Sequence, residues 1–204
     1  MSAPITLKGI WNSSTDLLKR FDLIPTFDAA WTKVVEEEHE TVESLYKLTI
    51  NKDRRQSFLF RSHLAKEAAD CLVTLLNAAY TVGMTEADLR SVPSLNTLWS
   101  NIETDSTQRR RLMDLSLSLY PFYSVLMDVR SGDNMATRDD IALALARCIA
   151  ALMGVVKGAG LSYDEFEAAI EAVMYKNGRK DKDSHEVIES MIVKRKPVIE
   201  SEGQ

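Results

Sequence analysis

The sequence predicts an all-α protein, and three observations carry that expectation. Apolar residues recur every three or four positions over long stretches, as at Phe27, Trp31, Val34, Val35, Val42, Leu45 and Leu48. Helix-opening pairs stand where such stretches begin, namely Thr85 with Asp88 and Ser162 with Glu165. Pro25, Gly83 and Pro93 punctuate the stretches, as breakers and C-caps do.

In chain order, a first helix is expected over about 14–22, broken before Pro25. Thr26 caps a long helix through 48, followed by a polar, basic loop over 49–56. A third helix covers 57–81 and ends at Gly83. Thr85 and Asp88 open a short helix stopped by Pro93, and 95–102 adds a turn or two. Thr107 opens a helix to 130 in which Pro121 predicts a kink. The Gly132 region at 131–134 is a turn, Thr137 starts a helix to 157, and Ser162 starts one to 177. From Gly178 the chain is charged and is expected to form a last helix and a frayed tail over 181–204.

With 204 residues, 45% of them hydrophobic, the chain can bury one sizeable core, placed here at 1–180. A net charge of −5 argues against broad binding to nucleic acid or to anionic membranes, but not against a nucleotide carried with a metal. No secretory pattern opens the sequence, and 141–156, interrupted by Arg147, is short of a membrane span, so a cytoplasmic location is expected. Cys71 and Cys148 read as buried free thiols, and three histidines make a zinc site improbable.

An internal repeat appears at an offset of 77 residues. Ala69, Asp70, Cys71 and Leu72 align with Ala146, Arg147, Cys148 and Ile149, and Gly83, Met84 and Thr85 with Gly160, Leu161 and Ser162. Glu67 and Asp70 align with Ala144 and Arg147, so the first half (about 14–103) carries the acids and the second (about 107–180) does not.

Those acids form two motifs, Glu36, Glu37 and Glu40 as EExxE and Glu67 with Asp70 as ExxD. Residues three or four apart share a helix face, so two packed helices would bring four or five carboxylates together. Such a cluster repels itself unless protons or cations neutralise it, and all-oxygen ligands suit a hard cation, Mg²⁺ first.

The two motifs, 26 residues apart, resemble those of the all-α nucleoside triphosphate pyrophosphohydrolases. That superfamily contains the MazG proteins, the dimeric dUTPases and dCTPases, and the phosphoribosyl-ATP pyrophosphohydrolases. Val35 and Leu45 match its apolar positions, the run 71–83 its glycine-terminated helix, and Val173, Asn177 and Lys180 its V-x-x-x-N-x-x-K stretch. Acids in one half and this stretch in the other resemble the duplicated dimeric dUTPases. Thr41 departs from the pattern, 92–130 has no counterpart in it, and no residue marks a base preference.

The resemblance implies hydrolysis of a (d)NTP to (d)NMP and pyrophosphate, for nucleotide pool control or sanitation. It implies Glu37, Glu40, Glu67 and Asp70 as ligands of Mg²⁺, with Mn²⁺ as substitute, and Glu36 as general base for the attacking water. Lys176, Asn177, Arg179 and Lys180 would hold the β and γ phosphates. A homodimer or larger homo-oligomer is expected from the apolar faces of 142–156, with neither nucleic acid nor membrane as partner. The competing reading is a non-catalytic helical interaction module or a nucleotide sensor, in which the acids are a solvated face. Arg109, Arg110 and Arg111 read as a solvated helix start, His39 and His63 as surface or supporting residues, and Trp11, Trp31 and Trp99 as core.

Overall fold

A computed structural model describes residues 5–20, 25–51, 54–103, 107–132 and 136–179, the side chains of 54–56 and 179 excepted. Its elements are α1 (Leu7–Arg20), α2 (Phe27–Ile50), α3 (Arg54–Thr81), a 3₁₀ turn (Asp88–Ser91), α4 (Leu95–Ser100), α5 (Gln108–Ser131), α6 (Arg138–Gly158) and α7 (Tyr163–Arg179). The all-α expectation holds, with no strand among the described residues. The expected last helix and tail lie outside them.

Two helix starts differ from expectation. α1 starts seven residues early because Leu7, Ile10 and Trp11 form a buried stripe continued by Ser14, Thr15 and Leu18. α3 starts at Arg54, so most of the basic segment read as a loop is helix. α5 runs on through Pro121, which lies on an exposed face with Leu117, where the carbonyl that lost its donor can meet water.

Two antiparallel helical hairpins make the body of the fold. In the first, Ser44 of α2 meets His63 of α3. In the second, Arg111 of α5 reaches the Gly154 carbonyl of α6, and the Cys148 thiol donates to the Ser118 carbonyl. The hairpins meet along α3 and α6, with α7 and α1 packed beside α3. Arg138 at the start of α6 pairs with Asp88 beyond the end of α3, while Arg61 near the start of α3 reaches the Gly160 carbonyl beyond the end of α6. The two central helices therefore run antiparallel.

The repeat at an offset of 77 is written into the backbone. Gly83 and Gly160 take φ of 86° and 83°. Gly83 N–H donates to the Tyr80 carbonyl and Met84 N–H to that of Ala79; Gly160 and Leu161 do the same toward Lys157 and Val156. Both ends are Schellman motifs, each sealed by a buried apolar residue, Met84 and Leu161. Asp88 then accepts from the Thr85 N–H and hydroxyl, as Glu165 does from Ser162. The preceding helices match at an offset of 81: Thr26 and Thr107 are their N-caps, and each has 24 residues. Val34 with Leu115 and Leu45 with Leu126 are the equivalent buried pairs.

α6 is long and apolar enough to cross a bilayer by length and composition, contrary to the expectation, but 67% of its apolar window is buried in this fold. Most of its apolar surface is thus covered within the chain, by α3, α5, α4 and the 3₁₀ turn, while Leu143 is 53% exposed. Arg111 is no solvated helix start: it is 5% exposed, bonded to the Gly154 carbonyl at 2.8 Å, and lies where a side chain at Gly158 would be. Trp11 is buried, while Trp31 packs among Phe27, Phe122 and Tyr123, and Trp99 against Tyr163 and Phe166.

Candidate metal centre

The first hairpin brings the acids of α2 and α3 to one place. One carboxylate oxygen each from Glu37, Glu67 and Asp70 lie within 4.8 Å of one another. Glu37 and Glu67 are only 6% and 5% exposed, and Asp70 is half-buried. Helical spacing alone put Glu37 beside the apolar stripe and Val35 on it; the structure reverses them, with Val35 48% exposed. A rotation of the helix toward α3 accounts for the exchange, because α2 buries Val34, Glu37, Thr41, Ser44 and Leu45 as one face.

Glu40 stands next in line, its carboxyl against that of Glu67. Glu36 lies outside the close group: its side chain is 46% exposed and pairs with Lys33 at 2.9 Å. Glu38, on the other side of α2, accepts from the Ser116 hydroxyl of α5 at 2.8 Å and so ties the two hairpins together.

Supporting contacts fix the acids from behind. The Thr41 hydroxyl, fully buried, donates to the Glu37 backbone carbonyl at 2.8 Å, which satisfies a polar residue where an apolar one was expected. Buried Ser44 shares a hydrogen bond of 2.9 Å with His63 Nδ1, which lies 3.5 Å from Glu67 Oε1. Lys33 bridges Glu36 and Glu37, at 2.9 Å from each. Lys66 bridges Glu67 at 2.9 Å and Asp70 at 3.4 Å.

The electrostatics are those of a crowded acid site. Burial, set against the Lys33 bond and seconded by Asp70 and Glu40, pushes the Glu37 carboxyl up to about 7. Burial and the Glu67 carboxylate raise Glu40. Burial opposes the Lys33 ammonium, but its bonds to Glu37 and Glu36 outweigh it and its pKa rises. Glu37 Oε2 is buried without a hydrogen-bond partner. An orphaned acceptor among oxygen ligands is an arrangement that a hard cation satisfies, so the donor set fits Mg²⁺ or Mn²⁺.

The stretch expected to hold phosphates closes α7. Lys176 is exposed, and Asn177 is 6% exposed with its carbonyl taken by Arg20, which also holds the Gly178 carbonyl at 2.9 Å. This stretch is the capped C-terminal turn of α7; the Arg179 side chain and Lys180 lie outside the described residues. Sequence reading missed Lys33 and Lys66, although lysine at i−4 or i−3 before an acid pair is a legible ion-pair spacing. It also missed Asn77, buried in α3 and bonded to Ser14.

Comparison of the chain with protein-family models, with curated proteins and with solved structures returns no match.

Proposed function

We propose that this chain is a divalent-metal-dependent nucleoside triphosphate pyrophosphohydrolase that splits a (d)NTP between its α and β phosphates. One observation carries the reading: the buried, unpartnered Glu37 Oε2 beside carboxylate oxygens of Glu67 and Asp70. A solvated acidic face would leave no buried acceptor unsatisfied, so the geometry favours a cation site over a non-catalytic helical module.

Glu37, Glu67 and Asp70 would hold the metal, and Glu40, next to Glu67, adds a fourth carboxylate. Mg²⁺ supplies neutralisation of the triphosphate charge and Lewis acidity toward its oxygens. Glu36, partly exposed and paired with Lys33, would serve as general base for the attacking water on the motif spacing. The motif spacing quoted above supports the (d)NTP class. Lys176, Asn177, Arg179 and Lys180 remain proposed for the phosphates on that spacing alone. Val35 of α2 and the row Met113, Leu117 and Tyr120 of α5 are exposed apolar residues available for self-association.

The test is turnover of a panel of nucleoside and deoxynucleoside triphosphates by the full chain, read as pyrophosphate release with and without Mg²⁺. Release that requires Mg²⁺ supports the reading. If no nucleotide yields pyrophosphate at any Mg²⁺ or Mn²⁺ concentration, the enzyme reading is lost, and tight substrate binding without product would point to a sensor.

A further inference from the structure

The acid cluster contains its own cations, one on each helix. On α2, Lys33 lies one turn before Glu36 and Glu37, is 15% exposed, and places Nζ 2.9 Å from Oε1 of both. On α3, Lys66 adjoins Glu67 and lies one turn before Asp70, with Nζ at 2.9 Å from Glu67 Oε1 and 3.4 Å from Asp70 Oδ2. Each ammonium thus bridges two carboxylates of its own helix, the position a bridging metal ion takes.

These contacts compete with metal ligation. Mg²⁺ or Mn²⁺ prefers near-octahedral oxygen coordination at about 2.1 Å. The lysines occupy Oε1 of Glu37, Oε1 of Glu67 and Oδ2 of Asp70, leaving Glu37 Oε2 as the buried oxygen without a partner. An ion that takes any of those three oxygens must share it with an ammonium or displace it.

The second hairpin keeps neither the acids nor the lysines. At the corresponding positions Glu37 is replaced by Ser118 and Lys33 by Asp114, at the offset of 81. Glu67, Asp70 and Lys66 are replaced by Ala144, Arg147 and Leu143, at the offset of 77. Where the carboxylates are gone, both lysines are gone too.

We propose that Lys33 and Lys66 are tethered counter-ions that a divalent cation displaces, and that the released ammonium groups then hold terminal oxygens of the triphosphate. The inference rests on the metal-dependent reading above and deepens it. The lysine stems are long enough to swing from a carboxylate to an anion bound beside it, and lysine binds phosphate as a point charge. The device makes metal loading and phosphate capture parts of one exchange.

The experiment uses the full chain with Lys33→Met, Lys66→Met and the charge-retaining Lys33→Arg. Mn²⁺ binding is followed by loss of the free-ion paramagnetic resonance signal, with Glu37→Gln as the control that removes the site. Each methionine variant is expected to bind Mn²⁺ about three- to tenfold tighter than the parent, the range of a partly buried ion pair, and Lys33→Arg is not. With Mn²⁺ saturating, inorganic tripolyphosphate should bind about tenfold more weakly to each methionine variant. Should a variant be too unstable to titrate, the Mn²⁺-induced rise in its melting temperature should exceed that of the parent.

Mn²⁺ affinities equal to or weaker than the parent's in both methionine variants overturn the counter-ion role while leaving the metal centre standing. Tighter Mn²⁺ with unchanged tripolyphosphate binding overturns the transfer to phosphate. No Mn²⁺ binding by any of the proteins removes the metal-dependent reading itself, and this inference with it.

Discussion

The first hairpin, α2–α3, and the second, α5–α6, share a plan and differ in what fills their centres. Both are antiparallel pairs with threonine N-caps and glycine-ended second helices. At the fully buried position of Thr41 in the first, the second has Phe122, equally buried. At Glu37 the first has a buried carboxyl, whereas the second has Ser118, half-buried with its hydroxyl returned to the Leu115 carbonyl. The same scaffold therefore accepts a hydroxyl or an aromatic ring at one place, and a carboxyl or a hydroxyl at another. Burying carboxylates together is costly, and packing alone does not require it.

Breaking the difference at its centre gives the largest expected effect. Glu37→Gln or Asp70→Asn should lower Mg²⁺-dependent pyrophosphate release at least about a hundredfold, whereas Arg147→Ala in the second hairpin should stay within about twofold. Comparable losses in both hairpins would mean that the halves do not divide the work as the side chains do.

Stability separates the hairpins next. Phe122→Ala should cost about 3–5 kcal/mol in denaturant unfolding, the range for emptying a buried aromatic site. Thr41→Ala, at the equivalent place, should cost about 1 kcal/mol through its lost hydrogen bond.

The pH dependence sharpens the contrast from the other side. Glu37 is raised from an ordinary 4.5 to about 7 in the folded protein, so the native state holds its proton more tightly than the unfolded one. Its contribution is full below pH 4.5 and is lost as pH rises to about 7; Glu40, also raised, acts in the same direction. Without divalent ions, stability should thus fall by about 2 kcal/mol across that window, allowing for screening, and Glu37→Gln should flatten the profile. A profile that rises through the window in the parent would sink this account of the buried carboxyl.

The smallest effect tests what the hairpins share. Gly83→Ala and Gly160→Ala should each cost about 1 kcal/mol, and nearly the same amount, because both force a side chain into left-handed backbone without a clash, in open space at Gly83 and at ordinary contact, 3.6 Å from Arg61, at Gly160.

Fold and site were not equally legible. The caps at Thr26, Thr107, Thr137 and Ser162, and the glycine stop at Gly83, are local chemistry and could be read from a few neighbouring residues. The early start of α1 could not, since Ile10 and Trp11 declare themselves helical only against a neighbour. Acid spacing showed that Glu37, Glu67 and Asp70 could meet, because a helix period and a hairpin suffice for that. It did not show that Val35 turns out and Glu37 turns in, which depends on the rotation of α2 against α3. Nor did basic composition reveal that Arg111 is buried: that depends on Gly158 leaving room for it.

The nine residues 71–79 of α3 are all buried, Thr74 and Asn77 among them. A rod enclosed on every side releases its amide hydrogens to deuterium only when the whole domain opens. Glu67 and Asp70 are mounted at the edge of this enclosed segment, so the spacing of their carboxylates should outlast fraying at chain ends and loops.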